Sequence, residues 1–282
     1  MTGGTSQPSA LAEIREADAS PEIAAIYADI RAASAIPQVN LIYRHLATEP
    51  AVLAWAWTAL APVFRSGEVA AAAAELSAAV PGDGGAPLWA ACEPEAAAGI
   101  EAVLAFYNRA NPQNLIALTA LVMAARRSTG FSSVCALFAE PDRPAAAAPA
   151  ADPLLPPLPR RDALDAASRA LVDDLATRQG SGIGVTPSLY LHLAHWPSAI
   201  RAASARMSPL VGTAAFEAHV ATVLTQAASR ADVVARSLDL GPQRPPKEVL
   251  RPTLTTVESF VGATIPQMIV VGRILAGAPA AD

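Results

Sequence analysis

Ser188, His192 and His195 fall at i, i+4 and i+7 within TPSLYLHLAHWP, residues 186–197. A helix there would carry all three on one face. A serine beside a histidine is the minimum for nucleophilic catalysis. Two histidines and a distant acid could hold zinc, which needs three protein ligands. Neither set is complete. No GxSxG elbow surrounds Ser188, and no Asp or Glu occurs between Asp174 and Glu217. The structural alternative places Ser188 at a helix start, His192 against a backbone carbonyl or carboxylate, and His195 exposed near the helix end.

The elements that must position these residues are written twice. Tyr43, His45, Leu46, Ala47 and Pro50 match Tyr190, His192, Leu193, Ala194 and Pro197. Pro62 matches Pro209, IYADI at 26–30 matches LVDDL at 171–175, and Phe106, Pro112 and Gln113 match Phe260, Pro266 and Gln267. A slowly drifting offset is what small loop insertions produce. The expected organisation is therefore a first helical repeat over 1–138, a Pro/Ala-rich linker over 139–161, and a second repeat over 162–282. The linker's prolines deny it helical hydrogen bonds and favour an extended course. The two homologous repeats would pack as an intramolecular pseudo-dimer, with a site between them.

Periodicity and punctuation predict helices over 20–33, 39–48, 50–64, 67–79, 94–109 and 112–127 in the first copy. The second copy repeats them at 162–178, 187–196, 197–210, 213–237, 246–262 and 266–277. Ile23, Ile26, Tyr27 and Ile30 form one apolar face, and Val52, Leu53, Trp57 and Leu60 another. Pro50 suits a first helical turn.

Composition points the same way. Of 282 residues, 52% are hydrophobic, mostly alanine, and only 5% aromatic, which favours an all-α fold of closely approaching helices. Lys247 is the one lysine among 20 basic residues, a bias that fits a GC-rich genome. The net charge of -5 and the lack of a Lys/Arg cluster with interleaved aromatics argue against nucleic acid as a partner. Cys92 and Cys135 form no CxxC, which fits a reducing compartment. No signal pattern opens the chain, and runs such as LIALTALVMAA at 115–125 are short for a bilayer. A cytoplasmic protein with no membrane partner is expected.

The two copies also serve as controls for each other. Tyr43 pairs with Tyr190, His45 with His192, and Gln113 with Gln267, so these are expected to serve folding first. The tyrosines should pack between the repeats with their hydroxyls satisfied, and the glutamines should sit in first helical turns bordering a cavity. Positions that differ are better site candidates: Ser188 stands opposite Leu41, His195 opposite Thr48, and Asn114 opposite Met268.

IPQVNLIYRHLATEP at 36–50, NPQNLIALTAL at 111–121 and TPSLYLHLAHWP at 186–197, with the duplication and the proline linker, resemble the group I 2-haloacid dehalogenases. The resemblance runs from about residue 10 to 277. It implies an all-α pseudo-dimer with its site between the halves and no metal or organic cofactor. In that family an aspartate activates a water, which displaces halide at the α-carbon with inversion, and an asparagine helps hold the water. Asn114 matches the asparagine. The family's Ser-Asp-Tyr stretch reads Ser188-Leu189-Tyr190 here, so a leucine takes the aspartate's place. Leucine accepts no proton.

Three functions stay open on this reading. The favoured one is a diverged enzyme with a neutral, apolar pocket for a small organic substrate, a carboxylate or a secondary metabolite, transformed by a non-hydrolytic route. The second is a hydrolytic dehalogenase whose base has moved to His192, His195, Glu258 or a tyrosine. The third is a non-catalytic binding protein. Asn114, His192 and Tyr190 are the catalytic candidates. Tyr43, Ser188, Leu189, Gln113, Gln267 and Met268 are the substrate-contact candidates. The expected partner is a small molecule, and a homodimer is left open.

Overall fold

The computed structural model describes residues 11–127, 155–180 and 185–277, and every regular element among them is helical. In chain order these are α1 (Pro21–Ser34), α2 (Leu41–Leu46), α3 (Pro50–Arg65), α4 (Glu68–Ala78) and α5 (Pro94–Arg127). Then come α6 (Ala166–Gln179), α7 (Ser188–Leu193), α8 (Pro197–Met207), α9 (Ala214–Ser237), α10 (Lys247–Ser259) and α11 (Ile265–Leu275). Helices of equal length recur at α1 and α6, and again at α2 and α7; α3 and α8 both open on proline.

Local chemistry sets the helix starts. The Ser20 hydroxyl accepts from the Ile23 N–H, and Pro21 supplies a pre-formed first turn. The Asp165 carboxylate accepts from the N–H groups of Ala167 and Ser168. That cap explains why α6 begins at Ala166, while the expected earlier start is a 3₁₀ turn over Arg161–Ala163. Thr213 caps α9 through the Phe216 N–H. At the other end of α8, Ser208 precedes Pro209, and the residue before a proline resists helical geometry. The helix therefore stops at Met207, short of the expected 210.

Two expected breaks are absent. The sequence suggests separate helices over 94–109 and 112–127, yet α5 runs unbroken through Pro112. The proline forfeits one backbone hydrogen bond. It lies buried between buried Asn111 and Gln113, so tertiary packing holds the helix through it. The matching stretch in the second half is also continuous. A π turn, Phe260–Thr264, joins α10 to α11 just ahead of Pro266 and absorbs the irregularity.

α5 is the spine. It packs against α4 and α3 of the first half and against α7, α9, α10 and α11 of the second. Leu115, Ile116, Leu118 and Leu121 on it are 0–1% exposed. One hydrophobic cluster spans both halves, from Ile23 to Leu275. Cross-half bonds add to it: the Trp55 indole donates to the Leu240 carbonyl at 2.9 Å, and the Asn108 amide to the Gly272 carbonyl at 3.1 Å.

Most of the proline-rich segment lies outside the described residues. Its end, residues 155–160, has no regular structure and lies against the helices. Pro156 and Pro157 accept hydrogen bonds from His192 and His195, and Leu158 accepts one from Arg15. The continuous stretch Lys247–Leu275 is long and apolar enough to cross a membrane, contrary to the expectation that every apolar run is too short. The π turn makes it so, by fusing two helices. Of its most apolar window, 56% is buried among the other helices, the position of a core helix.

Candidate active site

Four chain segments meet around one cavity of about 50 Å³. α5 contributes Tyr107, Asn111 and Asn114. The start of α2 contributes Asn40, Leu41 and Ile42, and the start of α7 contributes Val185, Pro187, Ser188 and Leu189. The π turn and α11 supply Phe260, Thr264, Ile265 and Met268. A smaller adjoining space shares Asn40, Leu41, Tyr107 and Ser188 and reaches Arg44. Residues from both halves thus form one wall. Leu41 and Ser188 line it together, as do Asn114 and Met268, so two of the three mismatched pairs of the internal comparison meet at this cavity, and His195 and Thr48 do not reach it.

Of the sequence candidates, Asn114, Ser188, Leu189 and Met268 line the cavity, and Tyr43, Tyr190, His192, Gln113 and Gln267 lie outside its lining. His192 is wholly buried behind Tyr107. Its Nε2 lies 3.1 Å from the Pro156 carbonyl, and its Nδ1 2.7 Å from the Tyr107 hydroxyl. A carbonyl only accepts, so Nε2 carries the proton and Nδ1 accepts from Tyr107. Burial, with His195 and Arg44 nearby, drives the imidazole pKa down to about 3. His192 is neutral at physiological pH, and both ring nitrogens are engaged. Tyr107, not Ser188, is its partner. His195 bonds the Pro157 carbonyl at 2.7 Å, and His45 the Ala12 carbonyl at 2.8 Å. The three histidines therefore fasten chain segments to the helices.

Tyr43 and Tyr190 are 0% exposed, and neither hydroxyl has a hydrogen-bond partner among the described residues. The expected satisfied hydroxyls are not found. Tyr43 is held as an aromatic, edge-on to Trp57 with centroids 6.2 Å apart. Burial pushes the pKa of both phenols up, so both stay protonated. Gln113 sits inside α5 rather than at a helix start, and Gln267 in the first turn of α11; each has an unpartnered Oε1.

Among the described residues, no carboxylate and no cation line the main cavity. Glu258 is a surface residue on α10, bonded to Arg126 at 2.9 Å. Arg44, in the adjoining space, is 4% exposed and donates to the Glu13 carboxylate at 2.6 Å and to the Val39 carbonyl. Its charge is thereby compensated. Among the described residues no group of three His, Cys, Asp or Glu stands close enough to hold a metal ion. The polar wall is made of amides and hydroxyls: Asn40, Tyr107, Asn111, Asn114, Ser188 and Thr264. These suit orienting a small molecule through hydrogen bonds, and none is charged near neutral pH.

Among the polar lining residues, sequence reasoning missed Asn40, Thr264, Tyr107 and Asn111; the last two were the most legible. These two precede Asn114 by seven and three positions, a helical face that was visible once α5 is read as continuous. Phe260, Thr264 and Met268 form the corresponding face across the π turn.

No family model and no curated protein matches the sequence. Solved structures do match. A complex of D-2-haloacid dehalogenase with L-LA superposes at TM-score 0.74 with 18% identity, covering 94% of this chain and 95% of that one. A D-2-haloacid dehalogenase mutant gives 0.71 at 18% identity over 93% and 94%. A mutant complex with D-2-CPA gives 0.69 at 18% identity over 95% and 94%. Over nearly its whole length, then, the chain adopts a haloacid dehalogenase-like fold.

Proposed function

We infer that this chain is an enzyme that transforms a small organic molecule in the cavity beside α5, without a carboxylate-activated water. One observation carries the reading: the wall that holds Asn114 and Ser188 presents Leu189 and, among the described residues, no Asp or Glu. A water placed there has amides and hydroxyls around it, and none of these takes up its proton near neutral pH. The two halves are read as duplicated helical repeats joined through the proline-rich segment, which accounts for a wall drawn from both. A non-hydrolytic route that asks for no protein base, such as cyclisation, steered by Asn114, Tyr107 and Ser188, fits such a wall better than hydrolysis.

Chloride release from D- and L-2-chloropropionate tests this. The native protein should release none above a buffer blank, whereas Leu189→Asp should gain release. Leu189 is 1% exposed. A carboxylate at that depth has its pKa raised toward that of an effective base. Release by the native protein above a His192→Ala control would instead favour a hydrolase with a relocated base. Ligands that bind without being converted would favour a binding protein.

A further inference from the structure

The walls of the cavity differ in how far they can move. Tyr107 is tied by two hydrogen bonds, donating to His192 and accepting from Ser188. Pro187 is ring-closed, and Leu189 and Ile265 are branched, so packing leaves them few rotamers. Among the described lining residues Met268 is the one long unbranched apolar side chain, the kind that adapts most readily to its surroundings. The fold nevertheless fixes it. Met268 is 4% exposed, and its sulfur accepts from the Gln179 side-chain amide at 3.3 Å. Gln179 ends α6 and lies outside the cavity lining. It is itself 5% exposed, and its Oε1 has no partner among the described residues. A buried glutamine with an idle carbonyl costs stability, and a thioether is a weak acceptor that returns little. A leucine at this position would pack at lower cost. What the glutamine supplies instead is a fixed place for the sulfur.

We propose that Met268 sets the length of molecule that the cavity admits, and that Gln179 is the residue that positions it. Held on Gln179, the thioether forms part of the α11 wall of a space of about 50 Å³, which holds roughly four waters, the bulk of a compact organic molecule of about four or five heavy atoms. Truncating Met268 to alanine removes about three heavy atoms from that wall and extends the space by as many. Freeing the sulfur by Gln179→Leu lets the side chain swing aside without shortening it. This length limit rests on the reading of the cavity as the ligand site.

Titration of the full chain with 1-propanol and 1-pentanol, followed by ligand-observed NMR, tests it. In a pocket with no length limit 1-pentanol binds about sixteenfold tighter than 1-propanol, from about fourfold per buried methylene. In the native chain the two should bind about equally, or 1-propanol the tighter. Met268→Ala should raise the preference for 1-pentanol to roughly tenfold, and Gln179→Leu to about threefold. Met268→Val, a milder truncation should alanine unfold the chain, should move the preference the same way. A purely structural role for either residue would weaken both alkanols alike and leave their ratio in place. Leu189→Phe, which fills the cavity, should abolish binding of both. A native chain that prefers 1-pentanol about sixteenfold, or truncated chains that keep the native ratio, overturn the length limit while leaving the cavity as a ligand site. A Gln179→Leu chain with the native ratio overturns the positioning by Gln179. If neither alkanol binds the native chain, or Leu189→Phe binds both as before, the cavity itself is not the site and both readings fall.

Discussion

Mild acid should destabilise this protein through one histidine. The His192 pKa is near 3 in the folded state against 6.5 for a free imidazole, so the unfolded chain takes up the proton first as pH falls. The stability that His192 contributes as a neutral group is complete above about pH 6.5 and is lost progressively below it, levelling off only near pH 3. Each pH unit inside that window is worth about 1.4 kcal/mol. At pH 5 the loss is therefore about 2 kcal/mol, or roughly 4–8 °C in Tm for a chain of this size. The window separates this effect from the carboxylates. Asp29, Asp83 and Asp232 have pKa values held below 3.8 by their arginine partners and contribute their losses at lower pH. The assay is urea unfolding from pH 7.5 to 5 on the native protein and on His192→Gln, which keeps an amide donor and acceptor but does not titrate. The other three of the four histidines are common to both proteins and cancel in the difference. Parallel slopes for the two proteins between pH 6.5 and 5 would refute the reasoning, as would a folded-state imidazole titrating at 6.5.

Tyr43→Phe and Tyr190→Phe should be neutral or slightly stabilising in thermal melts, since each removes a buried hydroxyl with no partner. Tyr27→Phe is the contrast: its hydroxyl donates to the Ile14 carbonyl at 2.8 Å, and its loss should cost about 0.5–1.5 kcal/mol by urea titration. Gly272→Ala should cost about 1–3 kcal/mol, because an added Cβ runs into the Asn108 amide that ties α5 to α11; Asn108→Ser should recover part of the loss. Asp165→Ala should destabilise by about 1 kcal/mol in chemical denaturation through loss of the α6 cap.

The sequence is explicit about helices because their signals are local. Ser20-Pro21, Pro50 and Pro197 announce helix starts, and α1, α3 and α8 begin where those residues place them. Pro112 is the instructive failure. Read locally it ends a helix; in the fold, burial on both sides outweighs one lost hydrogen bond. That misreading also hid the site, because Tyr107, Asn111 and Asn114 belong to one face only when α5 is unbroken. Comparing the copies does better where they differ: Leu41, Ser188, Asn114 and Met268 reach the cavity wall, although His195 and Thr48 do not. It has no means of separating His192 from Ser188. Their helical spacing is right, but Tyr107, from a helix distant in sequence, comes between the imidazole and the cavity.

The reach of α5 also bears on how the chain is made. At 34 residues it is about 50 Å long, and its main partners α9 and α11 lie far downstream. On a ribosome adding about 5–20 residues per second, roughly seven to thirty seconds separate synthesis of the end of α5 from synthesis of the end of α11. Through that interval Leu115, Ile116, Leu118 and Leu121 have no final covering. The nascent first half is then a client for chaperones, and a ribosome stalled between the halves would release an aggregation-prone product rather than a folded half-protein.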